Sequence, residues 1–347
     1  MHVLRVKNVN EALPKGIQLI WDHGEKRDSR NGSVFVMPEP VTTVYANPAE
    51  RVLMNPVRDA NPFFHLFESL WMLGGKNDLE YVVQFAGNMR NYSDDGKVMW
   101  GAYGWRWRSF FNATDQLSWA INRLKKDPTD RRVVVQMWSA DEDTGVADNG
   151  GKDVPCNLTL HFQVNINGQL DMTVFCRSND IIWGAYGANA VHFSILLEYV
   201  AAKVGCPMGR YWQVSDNYHA YAELYEKMAE HYRPDYQPEI GIDPYLIGLQ
   251  PFPLVTKPDT WDGDLMMFLE DPTAIGFRDP FFRKIAVPMF MAHRHYRDNE
   301  GAERYEGARE ILNQMPVSID WKMASLDWID RREANWRKAA DDGPHSI

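Results

Sequence analysis

Residues 32–47 carry the pattern of paired strands. Val34-Phe35-Val36 and Val41-Thr42-Thr43-Val44-Tyr45 concentrate β-branched and aromatic side chains. The period then changes. Over 61–74, Phe63, Phe64, Phe67, Leu70 and Trp71 recur at helical spacing, and Pro62 suits a first helical turn. A second helix is predicted over 115–126, stopped by Asp127-Pro128, and a strand over 132–138. Segments 158–164 and 169–175 predict a hairpin turning at Asn167-Gly168. Residues 188–204 are apolar on almost every face, as in a core helix, and Gly205 ends the run. A strand is predicted over 209–214, a helix over 218–231, and short strands in the proline-bearing stretch 249–266. Beyond Phe282 the pattern is helical and charged, with Trp321, Trp328 and Trp336.

Helices and hairpins mix without repeated βαβ units, which places the chain in the α+β class. The pattern divides into a main body, 1–280, and a helical extension of the same domain, 281–347. With 347 residues, 45% of them hydrophobic, a large core is available.

Charge narrows the function. The net charge of −10 argues against sequence-independent nucleic-acid binding, which needs a basic face. An anionic substrate would need a local cluster of arginines. The three cysteines, Cys156, Cys176 and Cys206, are odd in number and lack metal-ligand spacing, so neither a disulfide framework nor a metal site is expected. The N-terminus lacks an apolar signal region, and no apolar run reaches membrane-spanning length. A cytoplasmic protein without a membrane partner is the expectation.

The candidate chemistry lies in Asp153-Val154-Pro155-Cys156-Asn157 and, after the predicted hairpin, Cys176-Arg177-Ser178-Asn179-Asp180. A thiolate can attack an electron-poor carbon when positive charge lowers its pKa. An arginine can supply that charge while gripping a phosphate. Taken alone, Cys156 reads better as a buried structural thiol; the Arg-Ser-x-Asp run favours covalent chemistry on a phosphorylated small molecule.

An ordered series of segments resembles the thymidylate synthase family, which includes the pyrimidine-nucleotide hydroxymethylases. They are Phe67-Glu68-Ser69-Leu70-Trp71-Met72-Leu73, Tyr103-Gly104-Trp105-Arg106-Trp107-Arg108, Asp115-Gln116-Leu117, Pro128-Thr129-Asp130-Arg131-Arg132, Pro155-Cys156, Arg177-Ser178-Asn179-Asp180 and Asp216-Asn217-Tyr218-His219-Ala220-Tyr221. The resemblance spans roughly residues 25–275. It implies a mixed β-sheet packed with helices, 5,10-methylenetetrahydrofolate as co-substrate, and a homodimer with shared active sites. It also implies roles. Cys156 would add to C6 of a pyrimidine nucleoside monophosphate, and Glu68 would position water and move protons. Arg177, Ser178 and, more loosely, Arg30 would bind the phosphate, joined by Arg131 and Arg132 of the other subunit. Asp180 would bind the pterin of the folate, His219 and Tyr221 the sugar hydroxyl, and Asn189 the base. A carboxamide both donates and accepts, so Asn189 fits uracil or, flipped, cytosine. The segment before it, Gly184 to Asn189, has one residue more than the family's.

Four departures bear on the product. Asn157 stands where a histidine usually follows the nucleophile, and Cys176 where a glutamine precedes Arg-Ser. Met89 and Tyr92 occupy, by spacing, the places of two tryptophans that shield the methylene intermediate. The family's short apolar tail has no counterpart in the final residues Asp341 to Ile347. A dry site lets tetrahydrofolate give hydride, leaving a methyl group; a wetter one lets water add, leaving a hydroxymethyl group. These features favour hydroxymethylation, and the altered base neighbourhood favours dCMP. The alternatives are thymidylate synthase, a dUMP hydroxymethylase, a dCMP methyltransferase and a non-catalytic nucleotide-binding homologue.

Overall fold

The structure is a computed structural model and describes residues 1–232, 243–316 and 319–341. The chain starts with strand β1 (His2–Val6) and helix α1 (Val9–His23), whose first N–H groups are capped by Asn8. Strands β2 (Glu25–Ser29), β3 (Gly32–Val36) and β4 (Val41–Tyr45) follow. Helix α2 (Pro62–Leu73) is capped by Asn61 and has its proline in the first turn. The short helices α3 (Leu79–Val83) and α4 (Tyr103–Trp105) precede α5 (Gln116–Lys126), β5 (Val134–Gln136) and α6 (Ala140–Asp148). Strands β6 (Asn157–Val164) and β7 (Leu170–Asp180) form the predicted hairpin; Gly168 takes the turn with φ 74°. Helix α7 (Asn189–Val204) is followed by strand β8 (Met208–Tyr221) and helix α8 (Ala222–Glu230). Helices α9 (Pro258–Glu270), α10 (Val287–Asp298), α11 (Glu303–Asn313) and α12 (Asp320–Asp341) complete the described chain.

Eight strands make one mixed sheet, in the order β1-β4-β8-β7-β6-β5, with the β2–β3 hairpin joined to β8 through β3. The pairs β1/β4 and β7/β8 are parallel; the others are antiparallel. Side chains alternate across it as the strand period requires. Leu160, Phe162, Met172, Val174 and Tyr211 are buried on the helical side. On the other face His161 is exposed, and Thr173, Phe175, Trp212 and Val214 are half-buried. Helix α7 is buried almost throughout and packs against α2, α5, α9 and the sheet, which is why its sequence is apolar all round.

Two expectations are corrected. Residues 218–221 are strand, not helix: they extend β8, pairing His219 with Val36 of β3 and Asp180 of β7. That long-range pairing overrides the local pattern. The stretch predicted to hold short strands has no named strand and yields α9. Pro258 opens that helix, and Trp261, Leu265 and Phe268 form its buried stripe. Segments β1, α1 and β2 were not anticipated. The C-terminal helices pack on α2, where Phe63 meets His293 and Trp328 with ring centroids 5.1 and 5.4 Å away.

Candidate active site

Cys156 sits immediately before β6, and its carbonyl accepts a hydrogen bond from the Arg177 N–H at 2.9 Å. The hairpin register sets this meeting, since Asn157 is opposite Cys176. The Arg177 guanidinium donates to the carbonyls of Pro155 (2.9 Å) and Val154 (3.0 Å) and lies over Trp138. It therefore braces the backbone that presents the thiol. Burial pushes the Cys156 thiol above its ordinary pKa; Arg177 and Arg30 pull it down, and Asp153 pushes it up. The positive charge expected to activate the cysteine is present, but desolvation outweighs it in the protein alone.

A cleft of about 380 Å³ opens in front of this brace. Arg30, Arg177, Ser178, His219 and Tyr221 all line it, together with Arg27 and Lys152. Arg30 comes from the β2–β3 turn, where Ser29 Oγ donates to the Gly32 carbonyl at 2.6 Å and Gly32 has φ 105°. The strand pairing found for residues 218–221 is what places His219 beside Asp180 and the cleft. The His219 and Tyr221 rings meet edge to face at 5.7 Å.

Arg131 and Arg132 do not line this cleft. They are exposed after the turn that ends α5, and Arg132 donates to Asp130 at 2.8 Å.

Beside Cys156, Asn157 begins a relay of three amides and a hydroxyl. Asn157 Nδ2 donates to Asn189 Oδ1 (3.3 Å), Asn189 Nδ2 to Asn179 Oδ1 (3.0 Å), and Asn179 Nδ2 to Ser215 Oγ (2.9 Å). All four residues are buried, and Asn157 Oδ1 makes no hydrogen bond. The amide orientation of Asn189 is thus tied to both neighbours, and it cannot flip alone. Residues Ile181–Ala188 form a π-helical segment leading into α7. Such a segment absorbs one extra residue per turn, which accommodates the longer stretch before Asn189.

Asp180 begins that segment. Its Oδ1 accepts the N–H groups of Ile182 (3.0 Å) and Trp183 (2.5 Å), and its Oδ2 that of Tyr221 (3.3 Å). Burial raises its pKa, opposed by these donors and by His219. Glu68, on α2, is 13% exposed and its Oε2 lies 3.0 Å from His192 Nε2 on α7.

A family profile described as thymidylate synthase matches residues 14–246. The chain belongs to the thymidylate synthase family. It is similar, at 52% identity over 99% of both chains, to a deoxyuridylate hydroxymethyltransferase of Pseudomonas phage M6. It is 37% identical to the deoxyuridylate hydroxymethyltransferase of Bacillus phage SP01, over 54% of this chain and 50% of that one. A third deoxyuridylate hydroxymethyltransferase, of Delftia phage PhiW-14, is 31% identical over 62% of this chain and 61% of its own. The protein is accordingly a one-carbon transferase of the thymidylate synthase family, with methylenetetrahydrofolate as co-substrate and a pyrimidine nucleotide as acceptor. The mixed sheet and its helical layer are the architecture that the family resemblance implied.

Within this thymidylate synthase framework, several site residues had no role assigned from sequence. Asp153 Oδ2 accepts the Gly101 N–H at 2.9 Å, and burial raises its carboxyl to about 6. It stands in the nucleophile motif itself, so its place in the chain was the available signal. Tyr103 accepts the Asn157 N–H at 3.3 Å. Asn179 lies within the Arg177–Asp180 run but had no role of its own, and His192 and Ser215 gave no motif-level signal, because their importance comes from partners distant in the chain. Met89 is half-buried on the core and Tyr92 is 53% exposed. Residues 342–347, where an apolar tail was sought, lie outside the described residues. No helix among the described residues is long and apolar enough to cross a membrane.

Proposed function

We propose that the protein transfers a one-carbon unit from methylenetetrahydrofolate to C5 of dUMP and releases 5-hydroxymethyl-dUMP. The observation that carries this reading is the 52% identity over 99% of both chains to a deoxyuridylate hydroxymethyltransferase. The same relative displaces dCMP as the favoured base. The amide relay supports a fixed base preference, since exchanging uracil for cytosine at Asn189 requires Asn157 and Asn179 to reorient as well.

In this reading Cys156 adds to C6, and the electron pair reaching C5 attacks the one-carbon unit. Arg177, Ser178 and Arg30 hold the phosphate in the cleft that they line. His219 and Tyr221 take the sugar. Asp180 offers the pterin an acceptor, because Oδ2 carries a single backbone hydrogen bond and a carboxylate oxygen accepts more than one. Glu68 handles the proton of the attacking water. Polar Asp153 beside the nucleophile and exposed Tyr92 suit water rather than hydride at the methylene.

The protein acts as a homodimer whose sites are shared. An open sheet face containing a parallel β7/β8 pair favours a covering partner, since parallel pairs are normally buried on both faces. Exposed Arg131 and Arg132 are then available to the neighbour's phosphate.

Product mass tests the reading. Incubation with methylenetetrahydrofolate and either dUMP or dCMP should give the hydroxymethyl product from dUMP, at least about tenfold faster than from dCMP, without dihydrofolate absorbance. A 5-methyl product with stoichiometric dihydrofolate would refute hydroxymethylation; faster turnover of dCMP would refute the base assignment.

A further inference from the structure

Glu68 and His192 join the two central helices, α2 and α7. Their atoms Oε2 and Nε2 are 3.0 Å apart, both buried, and neither makes a hydrogen bond. The separation is that of an ion pair, and the alignment is not that of a hydrogen bond. On its other side the His192 ring meets His65 edge to face at 6.4 Å. His65 lies one turn before Glu68; burial, Arg58 and His192 hold its imidazole well below the ordinary pKa, so it remains neutral. Glu68 in turn acts electrostatically on Asp153, and Asp153 on Cys156. The pair is thereby connected to the nucleophile loop.

A glutamate has three side-chain torsions, and freezing them costs on the order of 1 kcal/mol or more. A buried carboxylate oxygen also needs a partner. His192 Nε2, 3.0 Å from Oε2, is the group placed to meet both needs there, which leaves Oε1 as the working oxygen. We propose that His192 is a positioning residue for Glu68, holding Oε2 so that Oε1 takes a proton from the water that adds to the methylene on C5. The proposal rests on the hydroxymethylation reading above.

The step balances without an oxidant or reductant. The water oxygen bonds to the methylene carbon, and its proton passes to Glu68. The π electrons of the exocyclic bond move through C5 and C4 onto O4. They return to form C5=C6 as the C6–S bond breaks, and the departing Cys156 thiolate takes the proton back from Glu68.

A double-mutant cycle tests this. His192→Leu, Glu68→Gln and the double variant are compared for kcat and for nucleotide KM in forming the hydroxymethyl product. His192→Leu should lower kcat roughly 10- to 100-fold with KM changed less than about twofold. The double variant should be no slower than Glu68→Gln alone, because His192 acts only through Glu68. His192→Gln, which can still donate toward Oε2, should recover part of the loss, and it runs the same cycle if His192→Leu does not fold. Additive losses, a change in KM in place of kcat, or near wild-type turnover would overturn the proposal. The wild-type product separates this failure from failure of the underlying reading: a methyl product refutes hydroxymethylation whatever the cycle returns.

Discussion

Arg177 serves the backbone and the cleft together. Two of its N–H groups are committed to the Val154 and Pro155 carbonyls, and the fork still lines the site with donors to spare. Its charge lowers the Cys156 thiol pKa against the larger effect of burial. The thiol is therefore raised on balance, and its reactive thiolate fraction should keep increasing as pH passes 9. Arg177→Ala removes one of the lowering charges, so alkylation of Cys156 by iodoacetamide, followed by peptide mass mapping, should shift to higher pH. dUMP affinity should fall roughly 10- to 100-fold, while deoxyuridine, which lacks the phosphate, should bind about as before. A profile unmoved or moved to lower pH would remove Arg177 as the partner of the thiol.

Among elements, α12 is tied to the body by a buried carboxyl at its start. Asp320 Oδ2 accepts the Tyr245 hydroxyl at 2.8 Å, and Tyr245 Oη accepts the Val52 N–H at 3.2 Å. Farther along, Arg331 and Arg332 donate to Asp59 at 3.0 and 2.8 Å. Burial raises the Asp320 carboxyl from 3.8 to about 7, so folding favours its protonated form. That contribution is complete below the unfolded pKa and is lost as pH rises through about 7. Asp320→Asn keeps an acceptor and removes the titration. Its stability relative to wild type should rise between pH 5 and 7 and level off above, by up to roughly 3 kcal/mol. Thermal unfolding of both proteins across pH 5–8 measures it; a pH-independent difference would mean that Asp320 is not buried as a titrating acid.

At the scale of the molecule, the exposed arginine doublet and the open sheet face belong to one question. Arg131 and Arg132 do not line their own chain's cleft, and His161, Phe175, Trp212 and Val214 are not fully covered. Mixing inactive Cys156→Ser with inactive Arg132→Ala subunits should restore activity. Random pairing makes about half the dimers hybrids, each with one intact site, so recovery should reach roughly a quarter of the wild-type level. Light scattering should report a dimer. A fully active monomer, or no recovery after verified subunit exchange, would end the shared-site reading.

The α+β class and the segments that build the candidate site were legible in the chain because their signals are local. Pro155-Cys156 and Arg177-Ser178-Asn179-Asp180 flank a hairpin whose Asn167-Gly168 turn fixes the register, and the period of two does the rest. The tertiary structure decided what depends on distant partners. Residues 218–221 became strand because β3 and β7 offered them edges to pair with, and this carried His219 and Tyr221 into the cleft. Glu68 acquired His192, and Asn189 was locked between Asn157 and Asn179, through helix and strand packing that no sequence spacing encodes. The Cys156 thiol was expected to be lowered by its arginines and is raised, because desolvation is set by the whole fold, whereas charge partners can be read from neighbouring motifs.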